Sequence, residues 1–249
     1  MKMWSFVNSG ILRVASRLGY ERSGTNAFGK DPFADVAKLT LNSPNMIFDV
    51  GANEGKVALR IRKHFPDATI HCFEPFAPVF CKLEQNFKDD PFVYVQPLAL
   101  GAAAGRACLY ENADPATNSL LPNADNADLF QPGSSACFRA KHEVQVTTVD
   151  DYCCKKRISK IDILKIDTQG FDLNVLRGAS QSFERQRISY VLAEVLFVPL
   201  YSDQAFFHEV YDFMMKTDFG LIGLYECARR PCGALAWCDA LFRAGHVDR

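Results

Sequence analysis

The sequence lacks an apolar run of the roughly 18 residues that a membrane-spanning helix needs. Near the start, Asn8, Ser9 and Arg13 interrupt the stretch that a secretory signal would keep apolar. We therefore predict neither a membrane span nor a signal peptide. The segment from Phe6 to Leu18 has the apolar spacing of a short amphipathic helix, and we expect it to pack on the domain.

An excess of charge of one sign is also missing. The 249 residues include 28 Lys and Arg and 29 Asp and Glu, so the formal net charge is −1. This balance provides no sequence-wide attraction to nucleic acid or to an anionic membrane. Hydrophobic residues make up 48% of the chain and charged residues 23%, which excludes global disorder and is typical of a globular protein.

The cysteines lack the spacing of a metal site or of a disulfide framework. There are 9 of them, an odd number, and no two have the Cys-x-x-Cys spacing. Free thiols in a reducing compartment are the expected state, so we predict a cytoplasmic protein. Nothing in the sequence indicates an oligomeric state.

Apolar runs typical of strands alternate with segments of helical periodicity. We predict strands at 46–50, 68–73, 92–100, 143–149, 161–166, 188–195, 219–225 and 235–242, and helices at 36–41, 56–64, 79–87, 172–179 and 203–216. This order predicts an α/β fold with a parallel sheet between two helical layers. The last two strands flank Pro231 and Gly233 and predict an antiparallel hairpin, and Asp203 is the predicted N-cap of the last helix.

Two features at consecutive strand ends favour a nucleoside ligand. The first strand runs into the turn from Asp49 to Gly55, at the edge where open α/β sheets bind ligands. Glu74 ends the second strand, 19 residues after Gly55. A carboxylate at this spacing accepts hydrogen bonds from both ribose hydroxyls of an adenosine cofactor. An ordinary turn or an exposed acid would explain either feature alone, but their combination favours the nucleoside.

Phosphate-binding patterns are absent from that turn. The chain has no Gly-x-x-x-x-Gly-Lys loop, and Asn53 replaces the second glycine of the dinucleotide pattern Gly-x-Gly-x-x-Gly. Asp49 and Glu54 would also place negative charge where a pyrophosphate lies. S-adenosylmethionine has no phosphate and carries a sulfonium and an ammonium, which acids attract. These observations favour S-adenosylmethionine over a dinucleotide.

Several segments of the sequence resemble a known protein family. The segment from Ile47 to Gly55 is similar to motif I of Rossmann-like S-adenosylmethionine-dependent methyltransferases, and most of all to the FkbM family. The resemblance continues in Phe73-Glu74-Pro75 and is strongest in the run from Ile161 to Asp172, with the segment Lys-Ile-Asp-Thr-Gln-Gly-Phe-Asp. It covers residues 46–243, which we predict to form a methyltransferase domain. Residues 112–133 lie outside the resemblance, and their Asn, Asp, Pro and Ala content without periodicity predicts a variable loop or lid. A helical cap segment (1–45) and a tail (244–249) flank this domain.

The resemblance implies a fold, an activity and a set of site residues. The expected fold is a seven-stranded, mostly parallel sheet with an antiparallel C-terminal strand and helices on both faces. The expected reaction uses S-adenosyl-L-methionine to methylate a hydroxyl of a small molecule or saccharide. Asp49, Gly51, Asn53 and Gly55 correspond to residues that line the methionine part of the cofactor, Glu74 to the ribose ligand, and Ala99 to a residue that lies at the adenine.

Two acids are candidates for the catalytic base. Asp167 ends the fourth core strand and is expected beside the reacting methyl, and Glu194, late in the fifth, is the second candidate. Asp167 would alternatively fix its own turn, and Glu194 would be a buried structural acid. A third oxygen ligand for Mg²⁺ is not evident, so we predict no metal.

Other acceptors and another class of function stay open. The methylated atom would alternatively be a nitrogen, or the acceptor a protein or an RNA, although the neutral charge argues against nucleic acid. The chain would alternatively be a binding protein that keeps the fold without activity, but the motifs at Asp49 to Gly55 and at Asp167 are both intact.

Overall fold

A computed structural model describes residues 28–130 and 137–245. The predicted helix at 6–18, residues 131–133 of the variable loop and most of the tail lie outside these ranges. The described α-helices are α1 (Pro32–Leu39), α2 (Lys56–His64), α3 (Ala77–Phe87), α4 (Val149–Lys156), α5 (Asp172–Arg177), α6 (Ser180–Glu184) and α7 (Phe207–Lys216). Among these helices, none has the length and the apolar character that a membrane span requires.

The strands form one large and one small sheet. They are β1 (Met46–Val50), β2 (Thr69–Phe73), β3 (Val93–Gln96), β4 (Ala99–Leu100), β5 (Gly105–Asn112), β6 (Phe138–Thr147), β7 (Ile161–Ile166), β8 (Ile188–Leu196), β9 (Phe219–Arg229) and β10 (Leu235–Ala244). The large sheet has the order β3-β2-β1-β7-β8-β10-β9. Its pairs are parallel except for β10, which is antiparallel to both β8 and β9. The predicted fold class is therefore confirmed, including the C-terminal hairpin.

The strand order reverses between β1 and β7. From β1 the chain adds β2 and β3 on one side, and it then returns to place β7 on the other side of β1. The connections leave opposite faces of the sheet at this point, so a crevice opens at the carboxyl ends of the two strands. Ligands of open α/β sheets bind in this crevice, and the candidate site of this protein lies there.

Each face of the large sheet has its own hydrophobic core. Successive strand residues point to opposite faces, so Phe48 and Val50 lie in one cluster while Ile47 lies in the other. The first cluster packs against residues of α4, α5, α6 and α7, and the second against residues of α1, α2 and α3. Two apolar layers around β1 and β7 hold the ends of these strands in fixed positions.

The small sheet was not predicted. It has the order β4-β6-β5, and β5 is antiparallel to β6. The prediction of one continuous strand at 92–100 is wrong, because Pro97 lies between β3 and β4, has no N–H to donate, and ends the pairing with β2. After Pro97, the chain pairs with β6 instead.

The predicted N-cap of the last helix is also wrong. Asp203 is exposed with φ +58°, and α7 begins only at Phe207. The Glu209 carboxylate accepts the Phe206 N–H at 2.9 Å and so satisfies the start of the helix. The preceding turn is fixed by Gln204, whose side-chain oxygen accepts the N–H groups of Leu200 and Tyr201, each at 2.8 Å.

Candidate active site

A cavity of about 380 Å³ opens at the carboxyl ends of β1, β2 and β7. Three turns form what we call the cavity floor, with lining residues from 50–57, 73–75 and 165–171. Residues 98–100 form a side wall. The cavity roof consists of Leu109 and lining residues from 114–120. This size and this position at the reversal of strand order are typical of cofactor and substrate sites.

The first floor turn brings β1 against the end of β7. Gly51 has φ +75°, and a Cβ added there would overlap the backbone oxygen of Asp167. No other residue type allows this approach without a shift of the backbone. Asn53 follows with φ +48°, a conformation that asparagine tolerates better than most residues, and its N–H donates to Glu74 Oε2 at 3.0 Å. The β1 and β2 turns are thus joined by a direct hydrogen bond.

Glu74 lines the cavity as an almost completely buried acid. It is 8% exposed, and its Oε1 accepts the Phe76 N–H at 2.9 Å. Burial raises the pKa of Glu74 to about 7, and the N–H groups of Phe76 and Asn53 only partly oppose this rise. Each carboxylate oxygen keeps a further lone pair, so the side chain can still accept two hydroxyl groups. Ala99 lies on the neighbouring wall of the same cavity.

Asp167 lines the cavity at the end of β7 and is held by two neighbours. Its Oδ1 accepts a hydrogen bond from Gln169 Nε2 at 2.9 Å, and its Oδ2 lies 3.5 Å from Lys165 Nζ. These contacts fix the carboxylate at the point where β1 and β7 diverge. Asp167 is therefore an acid with a defined orientation that faces ligand space.

Lys165 is a site residue for which sequence reasoning assigned no role. It lines the cavity although its side chain is only 4% exposed, and its Nζ lies 3.3 Å from Asp49 Oδ1. Burial opposes the charged ammonium, but Asp49, Asp167 and Asp239 outweigh it and raise the pKa of Lys165. A lysine inside the apolar run of β7 was the available signal, because a buried cation requires acidic partners.

Asp49 and Gly55 do not line the cavity. Asp49 is completely buried beside Lys165, and burial raises its pKa more strongly than the ammonium lowers it. A Cβ on Gly55, which has φ +88°, would overlap Phe87 and lies 2.8 Å from Leu83 Cδ1, so this glycine lets α2 start close to α3. Both residues shape the cavity floor from beneath. The cofactor contacts predicted for Asp49 and Gly55 stay a prediction.

Glu194 reaches the site only through Gln169. The Gln169 amide donates to Asp167 Oδ1 at 2.9 Å and to Glu194 Oε2 at 3.0 Å, while its Oε1 accepts the Tyr201 hydroxyl at 2.6 Å. Burial, followed by the charges of Asp167 and Asp172, raises the pKa of Glu194 well above its usual range. Glu194 does not line the cavity. Of the two predicted bases, Asp167 lines the cavity and Glu194 contacts it only through Gln169, and the catalytic role of either stays a prediction.

Two further acids lie near Asp167 and Glu194. Burial and the charge of Asp167 raise the pKa of Asp172 to about 7 and that of Asp239 to about 6. Neither residue lines the cavity. Within residues 28–130 and 137–245, no three His, Cys, Asp or Glu side chains converge in a geometry that would hold a metal ion.

The cavity roof is tied to the same turn. The Ser119 hydroxyl donates to the Gln169 carbonyl at 2.7 Å, and the Tyr201 hydroxyl lies 3.1 Å from the Thr117 carbonyl oxygen. Residue 119 also forms a bridge with Tyr110 of β5. Residues 112–130 of the predicted variable loop thus have specific contacts, and their opening and closing as a lid stays a prediction.

Comparisons with known proteins identify the family of this chain. The sequence matches the model of the Methyltransferase FkbM domain over residues 49–222. The 2-O-methyltransferase NoeI of Sinorhizobium fredii is 23% identical over 162 residues, which cover 62% of this chain and 65% of that protein. The 31-O-demethyl-FK506 methyltransferase FkbM of Streptomyces tacrolimicus is 27% identical over 176 residues, which cover 63% of this chain and 67% of that protein. The match thus spans about two thirds of the length of these relatives.

A solved structure supports the fold. The METTL16 methyltransferase domain superposes with a TM-score of 0.50 at 9% identity, over 86% of this chain and 65% of that chain. At this identity the likeness concerns the fold alone. The family match, which extends from Asp49 near the end of β1 into β9, contains the whole cavity floor. We conclude that this chain belongs to the FkbM family of methyltransferases.

Proposed function

We propose that this protein transfers a methyl group from S-adenosyl-L-methionine to a hydroxyl oxygen of a small molecule or saccharide. The observation that carries this proposal is the meeting of Glu74 and Asp167 in one cavity at the reversal of strand order. One acid is suited to a ribose and the other to an acceptor proton. Both acids line a cavity of about 380 Å³, a size typical of ligand-binding sites.

The cofactor half of the cavity is formed by Gly51, Asn53, Glu74 and Ala99. The two Glu74 oxygens are fixed by backbone N–H groups and would accept the ribose hydroxyls. Gly51 and Asn53 give the β1 turn its tight shape, and Ala99 leaves space at the wall where the adenine would lie. S-adenosylmethionine, when bound, supplies an electrophilic methyl group on a sulfonium, so the protein itself needs no nucleophile.

In the acceptor half, Asp167 would receive the proton of the acceptor hydroxyl. Lys165 and Gln169 hold its carboxylate in place, so the lone pair that faces the cavity has one orientation. Alignment of two bound reactants contributes up to roughly 7–11 kcal/mol in ideal cases, and a positioned base adds about 10²- to 10⁴-fold. Glu194 would act as a positioning residue through Gln169 and would not contact the acceptor.

The relatives support a hydroxyl acceptor. The name of NoeI specifies 2-O-methylation, and that of the Streptomyces protein specifies methylation of a 31-O-demethyl compound. The balanced charge of this chain supports a small acceptor over RNA. The roof, with Leu109, Pro115 and Leu120, presents apolar surface, which suits the carbon skeleton of a small molecule.

Transfer of labelled methyl groups tests the proposal. The purified protein is incubated with methyl-labelled S-adenosylmethionine and a metabolite extract, and parallel samples contain RNA or protein from the same cells. We expect label in a small molecule with an added O-methyl group by mass analysis. Asp167→Asn should lose this activity, whereas Asp128→Asn, which changes an exposed acid of the 112–130 segment outside the cavity lining, should keep it.

The other outcomes distinguish the alternatives. Label that enters only RNA or protein would replace the small-molecule acceptor with a macromolecule, and an N-methyl product would correct the acceptor atom. Cofactor binding without any transfer would favour the binding protein. A protein that binds neither S-adenosylmethionine nor S-adenosylhomocysteine would overturn the proposal.

A further inference from the structure

The cavity roof contains a buried hydrogen-bond donor that has no partner. Asn118 lines the cavity, and its Nδ2 makes no hydrogen bond with any described residue although the atom is shielded from solvent. Buried polar groups in folded proteins nearly always have a partner, so each exception requires an explanation. Among the described residues, the other buried polar side-chain atoms without a hydrogen bond are carboxylate oxygens of Asp49, which has the Lys165 ammonium 3.3 Å away, and of Asp172, and both residues lie outside the cavity lining.

The orientation of the Asn118 amide is determined by its other end. Its Oδ1 accepts the backbone N–H of Asn112 at 2.8 Å. A flipped amide would set an NH₂ group against this N–H and would leave two donors face to face. The oxygen therefore points to Asn112, and the NH₂ group is the end that is left unpaired.

The anchor of this amide is rigid. Asn112 is itself buried, and its Nδ2 donates to the Thr117 carbonyl at 2.7 Å. The next residue, Ser119, is bonded through its hydroxyl to the Gln169 carbonyl. Asn118 therefore lies on a segment that is fixed on both sides, and relaxation of the loop does not readily supply its missing partner.

We propose that Asn118 is a ligand-binding residue whose Nδ2 donates a hydrogen bond to an oxygen or nitrogen lone pair of the molecule in the cavity. This inference rests on the proposed function and deepens it, because it sets a chemical requirement on that molecule. Two sources provide such a lone pair. One is the cofactor, through its carboxylate, ribose or adenine, and the other is a second oxygen of the methyl acceptor, next to the hydroxyl that is methylated.

The variant Asn118→Asp isolates the donor. An aspartate retains an oxygen that accepts the Asn112 N–H, but it replaces the NH₂ group with a second acceptor that repels a ligand lone pair. Asn126→Asp is the matched control, because it adds the same charge to an exposed residue of the same segment outside the cavity lining. The melting temperature of each variant shows whether the roof keeps its fold.

Two measurements at pH 7.5 distinguish the cofactor from the acceptor as the source of the lone pair. The first is the Kd of S-adenosylhomocysteine by calorimetry, and the second is the KM of the acceptor that the labelling experiment identifies. We expect Asn118→Asp to weaken one of them by about tenfold or more, with Asn126→Asp within about twofold of wild type. A change in Kd assigns the bond to the cofactor, and a change in KM alone assigns it to the acceptor.

An unchanged Kd and KM in Asn118→Asp would overturn the proposal and would leave an ordered water as the partner of the amide. A failure of the proposed function would give a different experimental result. In that case the wild-type protein itself would bind no S-adenosylhomocysteine and transfer no methyl group, and the role of Asn118 would fall with it.

Discussion

The floor and the roof of the cavity are held together in different ways. The floor consists of turns that directly follow strands of the large sheet, and its close contacts, such as Gly51 against Asp167, follow from the pairing of β1 with β7. The roof is connected to the small sheet, and the side chains of Ser119 and Tyr201 link it to the floor by hydrogen bonds. We infer that the floor determines the chemistry and the cofactor, while the roof determines which acceptor fits.

The largest effect should follow from filling the space between the two floor turns. Gly51→Ala would place a Cβ against the Asp167 carbonyl at φ +75°, and we expect it to lower the free energy of unfolding by about 3–5 kcal/mol. Gly233→Ala has a similar φ of +88° but open space around it, so it should cost only about 1–2 kcal/mol. Urea denaturation measures both, and equal losses would show that the two strand ends are not in tight contact.

The next effect concerns the chemistry of the floor. Asp167→Asn should lower the single-turnover rate by about 10²-fold or more and change the affinity for S-adenosylhomocysteine only a few-fold, because in our proposal the acid would receive the acceptor proton and would not hold the cofactor. Glu194→Gln should have a smaller effect, since Glu194 is bonded to Gln169 and does not line the cavity. A wild-type rate in Asp167→Asn, with a strong loss in Glu194→Gln, would reverse the two roles.

A pH dependence distinguishes Glu74 from the other acids. With a pKa of about 7, above its usual value of 4.5, Glu74 is mostly protonated at pH 6 and mostly ionised at pH 8. If Glu74 holds the ribose, as we propose, the hydroxyls would donate to the ionised form, so the affinity for S-adenosylhomocysteine should rise by about tenfold over this interval and then level off. Calorimetry at several pH values measures the rise.

The control for this pH dependence is Glu74→Gln. It should weaken binding at pH 8 by about 1–3 kcal/mol and remove the rise. Asp172 and Asp239 titrate in a similar interval but lie outside the cavity lining, so they should not restore it. If the affinity for S-adenosylhomocysteine still rises with pH in Glu74→Gln, the titrating group is Asp172 or Asp239.

The smallest effect is expected in the roof. Ser119→Ala removes the bond to the Gln169 carbonyl and should cost about 1 kcal/mol of stability and speed proteolysis within 112–130. Ser202→Ala removes a hydroxyl that bonds to the carbonyl of Asn123, in the same segment but away from the cavity. Both variants should lose similar stability, but only Ser119→Ala should raise the KM of the acceptor. Equal KM values would argue against a role of the roof in acceptor binding.

The contrast between the floor and the roof also explains which parts of the site could be predicted from the sequence. The floor turns are contiguous motifs that follow apolar strands, so Gly51, Asn53, Glu74 and Asp167 could be placed at the edge of the sheet from spacing and from the family resemblance. The fold class followed from the alternation of strands and helices. The burial of Asp49 beside Lys165 could not be derived, because it depends on which face of β1 and β7 each side chain occupies.

The roof was beyond sequence reasoning for a physical reason. Ser119 and Gln169 are 50 residues apart in the sequence, and Tyr201 and Thr117 are 84 residues apart, so no local sequence pattern predicts their contacts. Residues 112–133 are rich in polar and small residues and were predicted only as a variable loop. Side-chain hydrogen bonds to backbone groups order residues 112–130, and such bonds are specified by three-dimensional placement.

Calorimetric titration of the wild-type protein with S-adenosylmethionine, S-adenosylhomocysteine and NAD is the most direct test of the central claim, that this cavity is a methyltransferase cofactor site. We predict binding of both S-adenosyl compounds and a loss of about 1–3 kcal/mol of binding free energy in Glu74→Ala. Binding of NAD with no binding of either S-adenosyl compound would contradict the account.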